Sequence, residues 1–185
     1  MPNTNYELQK TLSWYVGKGQ AGNHLYVGFM YKAPTEGDTD YNEPSASSYA
    51  RVAINTVTPG QSQTNTVNVF GSVAISNGVA SVASKDQISF NETWDPTTVN
   101  SETGKPGVVQ PWVEPTNANG KYELRYVGLF DSKTGGNLVA YEELETPLRP
   151  GYDQNGNLQS TIAIIRIGDL TIKLSNAPAE TTPTE

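Results

Sequence analysis

Residues 126–144 read YVGLFDSKTGGNLVAYEEL, two apolar, β-favouring runs on either side of a polar turn. Gly135 and Gly136 allow a backbone reversal that residues with a Cβ atom resist, and Asp131, Ser132 and Asn137 can cap the loose backbone donors of the turn. The expectation is a hairpin joining a strand over residues 121–130 to one over 137–144. The glycines and the turn polar groups serve architecture, so this stretch speaks for a fold before any activity.

The rest of the chain repeats the same grammar. Strand signals run over 24–31, where LYVGFMY is stopped by Ala33-Pro34, and over 49–55, where Ala50, Val52 and Ile54 form the better core face and Tyr49, Arg51 and Ala53 the other. Between residues 67 and 82 two apolar runs meet at Asn77-Gly78, a strong hairpin signal because both residues tolerate positive φ. Further strands are expected over 87–90, 161–167 and 170–175; in the last, Leu170, Ile172 and Leu174 alternate with Thr171, Lys173 and Ser175. A turn falls near Gly168-Asp169. About nine or ten short strands without a long helix predict an all-β fold, an antiparallel β-sandwich of jelly-roll type.

Three segments stand outside this pattern. Residues 1–22 form an N-terminal arm in which Leu8, Leu12 and Tyr15 suit two turns of helix, with Trp14 and Tyr15 as candidate partner contacts. Residues 91–119, inside the sandwich domain expected over 23–175, form a long Pro-, Thr- and Gly-rich loop holding Trp94 and Trp112. Loops of that length are usually functional or packed on a neighbour, and Trp dominates binding hot spots, so both tryptophans are candidate contacts, with a core role as the alternative. Residues 176–185, NAPAETTPTE, lack large apolar side chains and are expected to be a flexible tail.

Composition narrows the function classes. Of 185 residues, 36% are hydrophobic and 17% charged, while 17 Gly and 12 Pro favour frequent turns. A net charge of −7 with thinly spread Lys and Arg offers no stripe to follow a phosphate backbone, so no nucleic-acid partner is expected. With no Cys, neither a disulfide framework nor a thiolate metal site can form. The opening residues do not read as a signal peptide, and no apolar run approaches the roughly 18 residues of a membrane span.

Catalytic chemistry finds little footing. His24 is the sole histidine, so paired-His metal sites are impossible and a Ser-His-Asp arrangement would hang on one residue at a strand edge. Carboxylates at 36, 38, 40, 43, 142, 143 and 145 could supply a glycosidase pair, although a solvated acidic loop and the polar face of a strand explain them more simply. The runs Asp38-Thr39-Asp40-Tyr41-Asn42 and Asp153-Gln154-Asn155-Gly156-Asn157 alternate oxygen ligands as calcium loops do, yet lack the Gly and the bidentate Glu of an EF-hand. No cofactor, metal or catalytic residue is expected.

Five stretches, LYVGFMYKAP, SYARVAI, ISF, YVGLFDSKTGGNLVAYEEL and IRIGDLTIKLS, lie in this order between residues 24 and 175. Together they resemble a tailed-bacteriophage family of tail fibre and capsid decoration (head fibre) proteins. The resemblance implies a non-enzymatic virion structural protein, assembled in the bacterial host cytoplasm. It would bind the major capsid protein surface and stabilise or decorate the head, as a symmetric homo-oligomer with a trimer favoured. The alternative it carries is a tail-fibre or baseplate module for fibre attachment or for a host receptor such as a glycan. The Trp-containing insertion between Phe90 and Tyr122 and the N-terminal arm depart from the family pattern.

Overall fold

The computed structural model describes residues 9, 11–13, 24–35, 41–56, 67–101 and 103–175. Among them twelve strands form: β1 Leu25–Met30, β2 Val52–Thr56, β3 Val67–Asn68, β4 Ala74–Ser76, β5 Val79–Ala83, β6 Ile88–Glu92, β7 Trp94–Val99, β8 Pro106–Val109, β9 Leu124–Phe130, β10 Leu138–Leu148, β11 Ile162–Ile165 and β12 Thr171–Ser175. Every pairing with a recorded register is antiparallel. The protein is all-β, as the turn-rich sequence requires. The sheet orders, β10-β9-β1-β2-β3, β11-β6, β12-β5-β4 and β7-β8, are built largely on hairpins between consecutive strands and lend no support to jelly-roll connectivity.

The chain divides into two compact units, where the sequence predicts a single sandwich over 23–175. One takes its described residues from 1–23, 55–87 and 166–185, the other from 24–54 and 88–165. In the first, Asn77 (φ 48°) and Gly78 (φ 74°) both adopt the left-handed backbone of a two-residue turn and close the expected β4–β5 hairpin. β12 pairs along β5 from Thr171↔Ala83 to Ser175↔Val79, and Leu170 is buried, as are Leu12, Phe70, Ala80 and Val82. Residues 11–13 are helical, whereas Leu8, Trp14 and Tyr15 lie outside the described residues, as does the 176–185 tail.

The second unit is organised by β1 and β9, which share the triplet Tyr-Val-Gly and pair so that Gly28 faces Gly128. β1 is buried on both faces, as its near-continuous apolar run demands. Glycine is costly within a strand and marks a close approach. A Cβ at Gly28 would come within 2.7 Å of the Tyr49 hydroxyl and 2.8 Å of Glu43 Oε1, and one at Gly128 within 2.8 Å of Leu138 and 2.9 Å of the Phe130 ring. Gly28→Ala is therefore expected to destabilise by about 1–3 kcal/mol through overpacking, read as a lower urea midpoint.

β10 outruns its predicted end at residue 144, continuing through Pro147 to Leu148. As an edge strand it owes no ladder bond on one side, so the proline is tolerated. Two register shifts, between Leu138 and Ala140 and between Glu143 and Leu148, place extra residues on β10, and Glu142, Glu143 and Glu145 are exposed along it. Bulges, charge and proline are the devices that keep a sheet edge from recruiting another strand.

Candidate functional site

Within the long loop expected over residues 91–119, residues 94–109 form a two-stranded hairpin. β7 and β8 pair as Trp94↔Val109, Asp95↔Val108 and Val99↔Pro106. Side chains hold it where apolar periodicity is missing. Asp95 accepts from the Thr97 N–H at 2.9 Å, the Thr97 hydroxyl at 2.6 Å, the Thr98 hydroxyl at 2.7 Å and Gln110 Nε2 at 3.1 Å. The Thr97 hydroxyl and then that of Thr98 pull its carboxyl down to about 2, so it is ionised at neutral pH with its oxygens already engaged. The root is tied by Thr93, which is fully buried: its hydroxyl accepts from the Thr161 N–H at 2.9 Å and its carbonyl from the Gln110 N–H at 2.6 Å.

Trp94 opens this hairpin and is 40% exposed. Its six-membered ring lies against Gly107, at φ 96°, where any Cβ would overlap the indole. Part of the ring is therefore packed against the backbone. A large rigid aromatic already fixed in a folded hairpin loses little freedom when a partner covers it. Val99, further along the same strand, is also exposed.

Trp112 behaves oppositely, and its candidacy as a surface contact is corrected. It is 1% exposed, lies edge-on to Tyr49 (centroids 5.2 Å) and Phe90 (6.0 Å), donates from Nε1 to Ser48 Oγ at 2.9 Å, and its carbonyl accepts the Tyr31 hydroxyl at 2.5 Å. Its backbone N–H is held by the Pro150 carbonyl at 3.0 Å. Burial, and secondarily Glu114, pushes the Tyr31 phenol up to about 12, leaving it a donor throughout the neutral range. Of the four candidate contacts, then, Trp94 is exposed, Trp112 is core, and Trp14 and Tyr15 are outside the described residues.

The turn residues come together as a clamp. Asn137 donates its backbone N–H to Asp131 Oδ1 at 2.7 Å and its side-chain amide to Oδ2 at 2.8 Å, with Gly135 (φ 60°) and Gly136 (φ 70°) supplying the reversal. The same device recurs at Asp153, which accepts from the N–H of Asn157 at 2.8 Å and its side-chain amide at 3.0 Å, and from the Asn155 N–H at 2.8 Å. That alternation of oxygen residues, resembling a calcium loop, is thus a turn closed on itself; the Asp38 run lies largely outside the described residues. The Asp131 carboxyl is held below the usual range, chiefly by the Asn137 N–H and then by its amide. A folded pKa below the unfolded one contributes stability above the unfolded value that is lost as pH falls through the folded one. Asp131→Asn should therefore be less stable than wild type at pH 7, with the gap shrinking as the pH drops below about 4. Denaturant titrations at several pH values check this.

Beneath the turn lies a feature absent from the sequence reading. Arg51, assigned to the poorer core face by alternation, is buried, its guanidinium 3.5 Å from the Phe130 ring centroid. Nε donates to both Glu43 oxygens at 2.9 and 3.0 Å, and Nη1 to the carbonyls of Ser132 at 2.8 Å and Gly135 at 2.6 Å. The Tyr49 hydroxyl donates to Glu43 at 2.7 Å and accepts the Phe29 N–H at 2.9 Å; burial, then the charge on Glu43, drives its phenol far above the ordinary value. Glu43 is thus a structural ion-pair partner. His24 is exposed at the start of β1, Glu142, Glu143 and Glu145 are spread along an exposed strand, and among the described residues no three His, Asp or Glu groups are placed to hold a metal ion.

No protein-family model and no curated protein matches this chain. The site is accordingly defined by its geometry: an all-β scaffold presenting a β7–β8 hairpin whose Trp94 packs against Gly107 and is partly exposed.

Proposed function

We propose that this chain is a non-enzymatic structural protein of a tailed-bacteriophage virion, a capsid decoration or head-fibre protein that binds the major capsid protein surface as a symmetric homo-oligomer. The observation that carries this reading is the Trp94 hairpin, an aromatic packed against Gly107 and left partly exposed, in a chain whose strands resemble that family. The mechanism is mass action: a protein that binds the assembled shell and not its free subunits stabilises the shell by its binding free energy. The same partly exposed tryptophan also favours a second reading, a tail-fibre or baseplate module that stacks on a host glycan.

Immunogold labelling of intact virions with antibody to this protein tests the placement. Gold over the head is expected; gold confined to the tail tip moves the assignment to the second reading, and unlabelled particles overturn both. Trp94→Ala should keep the wild-type melting profile within a few degrees and weaken co-sedimentation with capsids about tenfold or more, the loss of one central aromatic anchor.

A further inference from the structure

The edge strands of the second unit differ sharply in chemistry. β10 carries its own bulges, Pro147 and three exposed glutamates. β11, Ile162-Ala163-Ile164-Ile165, has no charge, proline or glycine, and among the described residues β6 is its only strand neighbour. The irregularity in that pair falls on β6, since Ile162 faces Glu92 and Ile164 faces Ser89, so β11 itself runs without an inserted residue. Ala163 points inward and is buried, whereas Ile162 and Ile164 are 51% and 46% exposed on the opposite face. A regular, uncharged, β-branched edge is what folded proteins ordinarily avoid. A two-stranded sheet is also marginal alone, and further strands would complete it.

We infer that β11 is a copy-to-copy seam: its free edge pairs antiparallel with β11 of a second chain about a two-fold axis through Ala163. In that register Ile162 lies opposite Ile164 of the second copy and Ile164 opposite its Ile162, giving two β-branched cross-strand pairs on one face. Thr161 meets Ile165, and no charges oppose. No charge on β11 opposes a second copy at this edge, whereas at β10 a two-fold near the strand centre would bring glutamates of the two chains face to face. Glu92 lies one strand further from the seam and is bonded by the Ser160 hydroxyl at 2.6 Å. An isologous seam makes the number of chains even, in place of the trimer that the family resemblance favours.

This deepens the proposed homo-oligomer and rests on that reading for its setting, but the two fail separately, because virion labelling decides attachment and purified protein decides the seam. Sedimentation analysis of the full-length chain is expected to give an even-numbered wild-type assembly. Ile162→Glu and Ile164→Lys, each on an exposed side chain, should fall to half that mass or less. Mixing the two variants should restore the wild-type mass, because across the seam the new carboxylate faces the new ammonium. A monomeric or three-chain wild type, variants that keep the wild-type mass, or a mixture that stays dissociated overturns the inference. Should either variant lose its β circular dichroism, the double variant I162T/I164T keeps the β-branching, and its mass must fall likewise.

Discussion

Arg51→Ala is expected to cost about 3–5 kcal/mol of folding stability, the range for breaking a buried ion pair by removing one partner. The loss compounds because one guanidinium serves several masters. It neutralises Glu43, whose side chain is 18% exposed against 5% for Arg51, so the carboxylate left behind is poorly solvated. It is the donor for the carbonyls of Ser132 and Gly135, on which the Gly135-Gly136 reversal depends, and it covers the Phe130 ring. Arg51→Lys should recover a minor share, since a single ammonium cannot span a carboxylate, two carbonyls and a ring face at once. A thermodynamic cycle with Glu43→Gln checks the assignment: the double variant should be less damaging than the sum of the singles, because removing both charges leaves neither stranded. Additive losses would mean that the two side chains act independently.

That network also marks where sequence legibility stopped. Both hairpins built on special turn residues, Asn77-Gly78 and Gly135-Gly136, were readable because positive φ is a local requirement that few residues meet. The β7–β8 hairpin was not. Asp95, Pro96, Pro106 and Gly107 break every strand pattern, and what holds the pair is Asp95 bonded to its own neighbours and an indole laid on a glycine. Neither is a periodicity. Arg51 was misplaced for a related reason: alternation ranks faces by hydrophobicity, and a cation enters the interior when a carboxylate and an aromatic ring from distant segments meet it there. Trp112 lay within a Pro-rich stretch that supports core and contact roles alike, and its burial was decided by Tyr31, Ser48, Tyr49 and Phe90, which arrive from elsewhere in the chain.

Trp112→Ala is expected to cost about 3–5 kcal/mol, the usual range for emptying a large buried aromatic site. The cavity would open between Tyr49 and Phe90, and Ser48 Oγ would lose its indole donor. Since Tyr49 also donates to Glu43, loosening its ring should weaken the ion-pair cluster, making Trp112→Ala and Arg51→Ala non-additive in equilibrium denaturation. Trp112→Phe keeps most of the ring volume and should cost about 1–2 kcal/mol, mainly for the lost hydrogen bond and the remaining void. Trp94→Ala should stay under about 1 kcal/mol, since an exposed ring on Gly107 leaves no closed cavity. Under the proposed decoration role the pair separates folding from recognition: weak capsid binding by Trp112→Ala would reflect the fraction unfolded and recover on cooling toward maximal stability, whereas weak binding by Trp94→Ala would persist at every temperature where the fold is intact.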